Sequence, residues 1–230
     1  MQGPDLKLVH PRPSALGLRE RGKRERLRRI KEAAVEVFRS AGFEGASTRE
    51  IARLADVSIG TLFVYAKDKR DLLFLVLNED LDRISHDSIG VKRRDGNVVD
   101  RVVALLRPIY AHFAIEPDLA RTITREIAHF DRRDPAGGIQ ARRFYDRMDR
   151  WLVAVTSIIE DARDRGAIDI GDDAPLLGRA IFNAHLGEVR LWLQGETPKI
   201  ESGVEQLTQI VRVVIGNRER PAKKGAVKSS

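Results

Sequence analysis

The 230 residues include no cysteine, so disulfides and thiolate metal sites are excluded. That composition agrees with a cytoplasmic setting, which is the expected location. Uninterrupted apolar runs of 18 or more residues are missing as well, so no membrane-spanning helix is expected. The opening stretch MQGPDLKLVH has no apolar h-region and does not resemble a signal peptide. Nowhere does a period-two alternation of apolar and polar residues persist, which argues against strands. The chain also lacks His-Glu-x-x-His, a phosphate-binding glycine loop and a nucleophile elbow. No catalytic residue, metal ligand or cofactor is therefore assigned.

What is present is ordinary for a globular protein: 42% hydrophobic and 33% charged residues. The net charge of +7 is placed unevenly. Arg19 to Lys31 holds eight Lys/Arg against Glu20 and Glu25, and Arg218 to Ser230 holds five against Glu219. The remainder is slightly acidic. Basic charge gathered at the two ends suits a polyanion, and nucleic acid is the commonest one. For the tail PAKKGAVKSS, composition favours a solvated segment.

Residues 1–18 carry three prolines and two glycines without periodicity and are expected to be disordered. Leu27, Ile30, Ala34, Val37, Phe38 and Ala41 form one stripe of a helix from about Lys23 to Ala41, stopped by Gly42. Its first turns are basic, although a helix dipole prefers carboxylates there, and nearby phosphates would explain that choice. A later helix, Lys69 to about His86, turns Leu72, Leu73, Val76, Leu77, Leu81 and Ile84 inward. Residues 88–97 read as a linker and residues 218–230 as a disordered basic tail. Between them, helices are expected at Val98 to about Ile115 (kinked at Pro108), Pro117 to about Phe130 and Ile139 to Arg165. Two more follow, Pro175 to Gln194 behind an Asp172 or Asp173 cap, and Ile200 to Ile215. Asp134 to Gly138 is a loop. The fold class is all-α, about nine helices, with an N-terminal domain at 19–87 and a second domain at 98–217.

Between the first and fourth helices lies STREIARLADVSIGTLFVYAKDK, Ser47 to Lys69. Ser47-Thr48-Arg49-Glu50 has the form of a capping box, with Ile51, Leu54 and Ala55 as an inward face. Asp56-Val57-Ser58 interrupts the pattern, and Ser58 can cap a second short helix carrying Leu62 and Phe63. Two short helices joined by a tight turn make a helix-turn-helix, at about residues 47–66, whose second helix can enter a major groove.

Residues 24–84 resemble the DNA-binding domain of the TetR family of transcriptional regulators. The resemblance rests on the first helix ending in Phe38 and Gly42, Ser47-Thr48, Ile51-Ala52, Ala55-x-Val57-Ser58-x-Gly60-Thr61-Leu62, and Lys69 with Leu72-Leu73. It covers about a quarter of the chain. Asp56 stands where the family has Gly, Phe63 where Tyr is usual and Ala66 where Phe is usual. Asp tolerates the left-handed conformation better than most residues, so the turn should survive.

Within such a unit, backbone contacts position the protein and base-edge contacts specify sequence. Thr48, Tyr65 and Lys69 are the candidate phosphate anchors, the last by similarity to the family. Ile59, Gly60, Thr61 and Val64 are the exposed positions of the recognition helix, and Arg49 is placed to read guanine. The basic first helix could reach the flanking minor groove or backbone.

The resemblance further implies a homodimer on a double-stranded DNA operator, with a largely apolar small-molecule effector in the second domain. Leu177, Ala180, Ile181, Ala184 and Gly187 on one helix, with Val204, Leu207, Val211 and Val214 on the next, are the candidate dimer stripes. Candidate effector contacts are Tyr110, Phe113, Phe130, Phe144, Tyr145, Met148, Trp151 and Asn183. The resulting expectation is a repressor released from a palindromic operator by its effector. Two rivals remain. Glu126-Ile127-Ala128-His129 has the Glu-x-x-His form of ferritin-like metal enzymes, but a single copy occurs. Sequence-independent nucleic-acid binding through the basic ends is the other.

Overall fold

Apolar residues at three- and four-residue spacing fold here into helices packed on one another. The computed structural model describes residues 15–90, 96–128, 138–170 and 173–216. Among these residues there are nine α-helices and no extended strand. They are α1 (Ala15–Gly45), α2 (Thr48–Leu54), α3 (Ile59–Tyr65), α4 (Lys69–Gly90), α5 (Val98–Phe113), α6 (Pro117–Ala128), α7 (Ile139–Asp164), α8 (Ala174–Leu193) and α9 (Ile200–Ile215). The tail at 218–230, the centre of the linker, most of the 134–138 loop, and Phe130, His129 and Asp172 lie outside the described residues.

Several expected boundaries shift. α1 begins at Ala15, eight residues before Lys23, so the part of the 1–18 segment that is described is helical. It breaks at Gly42, whose φ of 66° lies in the left-handed region that glycine tolerates. Phe43 then folds back to stack on Phe38, with ring centroids 6.0 Å apart. Ala41, expected inward, is exposed. α4 extends to Gly90, into the expected linker, and Asn97 caps α5 through Asp100 N–H at 2.8 Å. α5 runs on through Pro108. Asp173 occupies the cap position of α8, but its side chain makes no capping bond.

α2 packs against both α1 and α3, and α1 packs on α4 and α6. α5 to α9 form a second helical layer, and α4 touches α1, α5, α6 and α7. α9 packs against α5 and α8 at close range because Gly203 faces the Tyr110 ring. A Cβ there would sit 2.5 Å from Tyr110 Cδ1 and 3.0 Å from Trp192 Nε1. Gly203→Ala should cost about 1–3 kcal/mol of stability, since α9 must back away from a filled core. A urea denaturation midpoint at fixed protein concentration checks this.

A polar seam joins α4 to α7. Arg147 is fully buried, and its guanidinium bonds Asn78 Oδ1 at 2.6 Å and Asp82, which also bonds Arg143. Partial burial pushes the Asp82 carboxyl up, yet the hydrogen bonds from Arg147 and Arg143 hold it below the usual carboxylate range. Trp151 Nε1 donates to Ser85 Oγ at 2.7 Å. Such a network is stable only when each buried group has its partner, so it fixes one register of α7 on α4.

Candidate nucleic-acid interface

Ser58 accepts the Thr61 amide at 3.0 Å and so caps α3 as its sequence position suggested. The expected capping box at Ser47 does not form. Ser47 has the extended backbone of a cap, φ −114° and ψ 128°, but its side chain makes no capping hydrogen bond. The turn between the two helices holds Asp56 at φ 51°, the single non-glycine residue with positive φ among those described. Its carboxylate pairs with Arg29 at 2.9 Å, so α1 braces the turn from outside.

Ile51, Ala52 and Ala55 are buried beneath α2, and Leu62 beneath α3. Leu54, expected inward, is 45% exposed. At 100° per residue, Ala52 and Ala55 flank Ile51 on one side of α2 and Leu54 falls on the other. The outward surface is therefore more apolar than the sequence suggested. Leu54, Ile59, Phe63 and Val64 are all exposed, Val64 by 77%. Gly60 is exposed between them, and Arg49 and Arg53 stand exposed on α2. Exposed apolar side chains on a recognition helix suit thymine methyls, and neighbouring arginines suit guanine edges or phosphate.

The remaining expected contact residues are half-buried and locally tied. The Thr61 hydroxyl lies 2.9 Å from Ser58 Oγ and so shares in the cap. Tyr65 donates its hydroxyl to Lys23 O at 3.4 Å, docking the basic start of α1 beside the end of α3. The Lys69 ammonium donates to Glu44 O at 2.9 Å and stands 4.7 Å from the Phe43 ring centroid. An ammonium has three protons, so this bond leaves donors for a phosphate. Thr48 is half-buried in the first turn of α2.

On α5 to α8 the residues expected to contact an effector divide. Tyr110 and Trp151 are fully buried, Phe144 is buried, Tyr145 and Met148 are half-buried, and Asn183 is exposed on α8. Phe113 alone among them lines the cleft of about 470 Å³ between α1, α4, α5 and α6. Val35, Val76, Leu77, Leu119 and Ile123 make the floor of that cleft. Lys31 pairs with Asp80 at 2.6 Å and Arg39 with Glu116 at 2.7 Å along its rim. Deeper inside, His185 lies 3.3 Å from the Tyr110 hydroxyl, and burial pushes its imidazole down to about 3, so it stays neutral.

Burial divides the expected dimer stripe. Leu177, Ile181, Leu207 and Val211 are at most 8% exposed and belong to the core of one protomer. Val204 and Val214 are half-buried against it. Ala180 and Gly187 do face outward, and Ala184 partly so, beside Leu176, Asn183 and Leu191. Glu126 is buried and approached by Arg70 at 3.6 Å and Arg125 at 3.5 Å. Among the described residues no helix is long and apolar enough to cross a membrane.

A braced helix-turn-helix followed by further packed helices is the arrangement of a DNA-binding transcriptional regulator. The comparisons with known proteins show what the chain is similar to. The model described as "Bacterial regulatory proteins, tetR family" matches residues 30–76. The repressor KstR of Rhodococcus jostii is 29% identical over 144 residues, which cover 63% of this chain and 67% of that protein. KstR of Mycolicibacterium smegmatis is 25% identical over 198 residues, 86% of this chain and 91% of its own. Thermus thermophilus FadR, a repressor solved with lauroyl-CoA, superposes with a TM-score of 0.62 at 23% identity, over 86% of this chain and all of its own. Residues 30–76 thus carry the DNA-binding part of the TetR family of bacterial transcriptional regulators, and the full-length relatives named here are repressors similar to this chain.

Proposed function

We propose that the chain is a homodimeric cytoplasmic repressor that occupies a palindromic operator and leaves it when an apolar effector binds. The observation carrying this reading is the outward face of α3. Ile59, Gly60, Phe63 and Val64 are exposed while Leu62 seats the helix on the core. Thr48, Tyr65 and Lys69 anchor the phosphates, and Arg49, Gly60, Thr61 and Val64 face the bases. One seven-residue helix touches too few base pairs for useful specificity, so two heads on a two-fold axis are required. Selecting bound duplexes from a random pool at fixed salt tests the reading. Enrichment of a palindrome is expected, and equal affinity for scrambled duplexes would leave only electrostatic binding.

The outward residues of α8 supply the dimer surface in this reading. Leu176, Ala180, Asn183, Gly187 and Leu191 recur at spacings of three and four on one exposed face. Small residues in the middle of that face permit close crossing of a symmetry mate. Ala180→Glu should convert the dimer to monomer with helix content unchanged, because Ala180 is exposed in the protomer and meets its partner only in the pair. Light scattering with circular dichroism distinguishes the outcomes.

For the effector, a fatty-acyl thioester is the favoured class. The FadR relative was solved with such a molecule, and the cleft between α1, α4, α5 and α6 has a matching apolar floor. Its volume falls in the range of small-molecule sites. Its walls come from both domains, so a ligand seated there bears on α1 and α6 together and strains the Arg39–Glu116 strap. A ligand changes DNA affinity only by favouring one spacing of the reading heads over another.

A further inference from the structure

We propose that Gln140, at the start of α7, is a positioning residue for the recognition helix and ties its orientation to the second domain. α3 has only seven residues, so its direction depends on what holds its two ends. The front end is held locally by Ser58. At the rear, Tyr65 O is one of the terminal carbonyls for which a helix offers no internal donor. Gln140 Nε2 donates to it at 2.9 Å.

The same residue is gripped from two further sides. Its backbone N–H donates to Asp71 Oδ1 at 3.0 Å, and the other oxygen of that carboxylate accepts Lys67 N–H, just beyond α3, at 3.0 Å. Asn78 Nδ2 donates to Gln140 O at 2.8 Å and to Gln140 Oε1 at 3.1 Å. Gln140 and Asp71 are both buried, so water does not substitute readily for these bonds. One residue of the second domain thereby meets the tail of the recognition helix, the carboxylate that also holds the chain following it, and the middle of α4. A hydrogen bond is lost once its atoms part by about 0.5–1 Å beyond contact distance. A small slide of α7 on α4 therefore frees the rear of α3 while leaving every side chain of its outward face in place. This route from effector domain to reading head rests on the proposed effector response, but the positioning itself does not.

Two variants of the full chain test it. Gln140→Met keeps length and volume without a donor, and Gln140→Glu keeps shape but can no longer donate while ionised. Affinity is measured at fixed salt for the selected operator and for a scrambled duplex, alongside thermal melting. Both variants are expected to bind the operator about tenfold more weakly with scrambled-duplex affinity unchanged, the scale of one lost buried hydrogen bond. An unchanged ratio of the two affinities, or a parallel fall in both tracking a lowered melting temperature, overturns the positioning role. Hydrogen exchange on the free protein gives a readout that needs no operator. Faster exchange through residues 65–69 in Gln140→Met is expected, and exchange equal to that of the wild type overturns the proposal. Failure of the wild type to select any operator would instead strike at the regulator reading.

Discussion

Asp71→Ala is expected to destabilise the protein by about 3–4 kcal/mol, the largest single-residue loss foreseen. Asp71 is 3% exposed and lies on α4, yet its carboxylate caps α7. Oδ1 accepts Gln140 N–H and Ala141 N–H at 3.0 Å each, the pair of donors that an N-cap side chain would normally satisfy. The N-cap residue of α7 itself is Gly138, which has no side chain to offer. Its φ of −66° is open to any residue, so the glycine is there for space. A Cβ at that position would fall 2.1 Å from Asp71 Cγ. Removing the carboxylate leaves the two buried N–H groups of α7, those of Gln140 and Ala141, without this acceptor. Asp71→Asn should lose less, because its oxygen can still accept the two α7 amides while its amide confronts Lys67 N–H. Urea denaturation of both variants at one protein concentration provides the comparison. Equal stability of Asp71→Ala and wild type would show that the cross-helix cap contributes nothing.

Val64→Glu is expected to weaken operator binding by about 100-fold while leaving stability within about 0.5 kcal/mol of wild type. The two halves of that expectation come from one number. Val64 is 77% exposed, so the fold hardly senses its replacement. Its place on the outward face of α3 would put the new carboxylate against base edges flanked by phosphates, where like charges cost several kcal/mol. Scrambled duplexes should also bind more weakly, but by a smaller factor, because they do not draw α3 as deeply into the groove. Fluorescence anisotropy with both duplexes, together with a thermal melt, checks the pattern. Strong operator binding by the variant would mean that α3 does not enter the groove.

The helix-turn-helix was legible because its signals are local. Ser58 caps α3, Asp56 takes the left-handed turn, and Leu62 is buried, all from residues within a few positions of one another. Local signals also misled where two readings were equally periodic. Leu54 stands three residues after Ile51, a spacing that fits an inward face as well as Ala55 does, yet it points outward. Ser47 and Glu50 have the spacing of a capping box without the side-chain bond at Ser47.

The helices after α4 show the wider gap. Helix period marked Leu177, Ile181, Leu207 and Val211 as apolar stripes, but period does not say whether a neighbour in the same protomer or a second copy covers them. In the fold they turn inward, and the surface left outside on α8 is the face of Leu176, Ala180, Gly187 and Leu191. Likewise the aromatic residues chosen as effector contacts are mostly core, with Trp151 held by Ser85 across the α4–α7 seam.

By itself the sequence determined the all-helical class, the capped reading head and its family resemblance, since each depends on spacing along a few turns of chain. The tertiary structure decided which apolar faces are spent inside the protomer. It also joined Asp71 to Gln140 and Ala141, 69 and 70 residues away. A carboxylate that caps a helix other than its own leaves no mark in local spacing. Its effect arises only when two helices pack and the buried donors of one must find acceptors on the other.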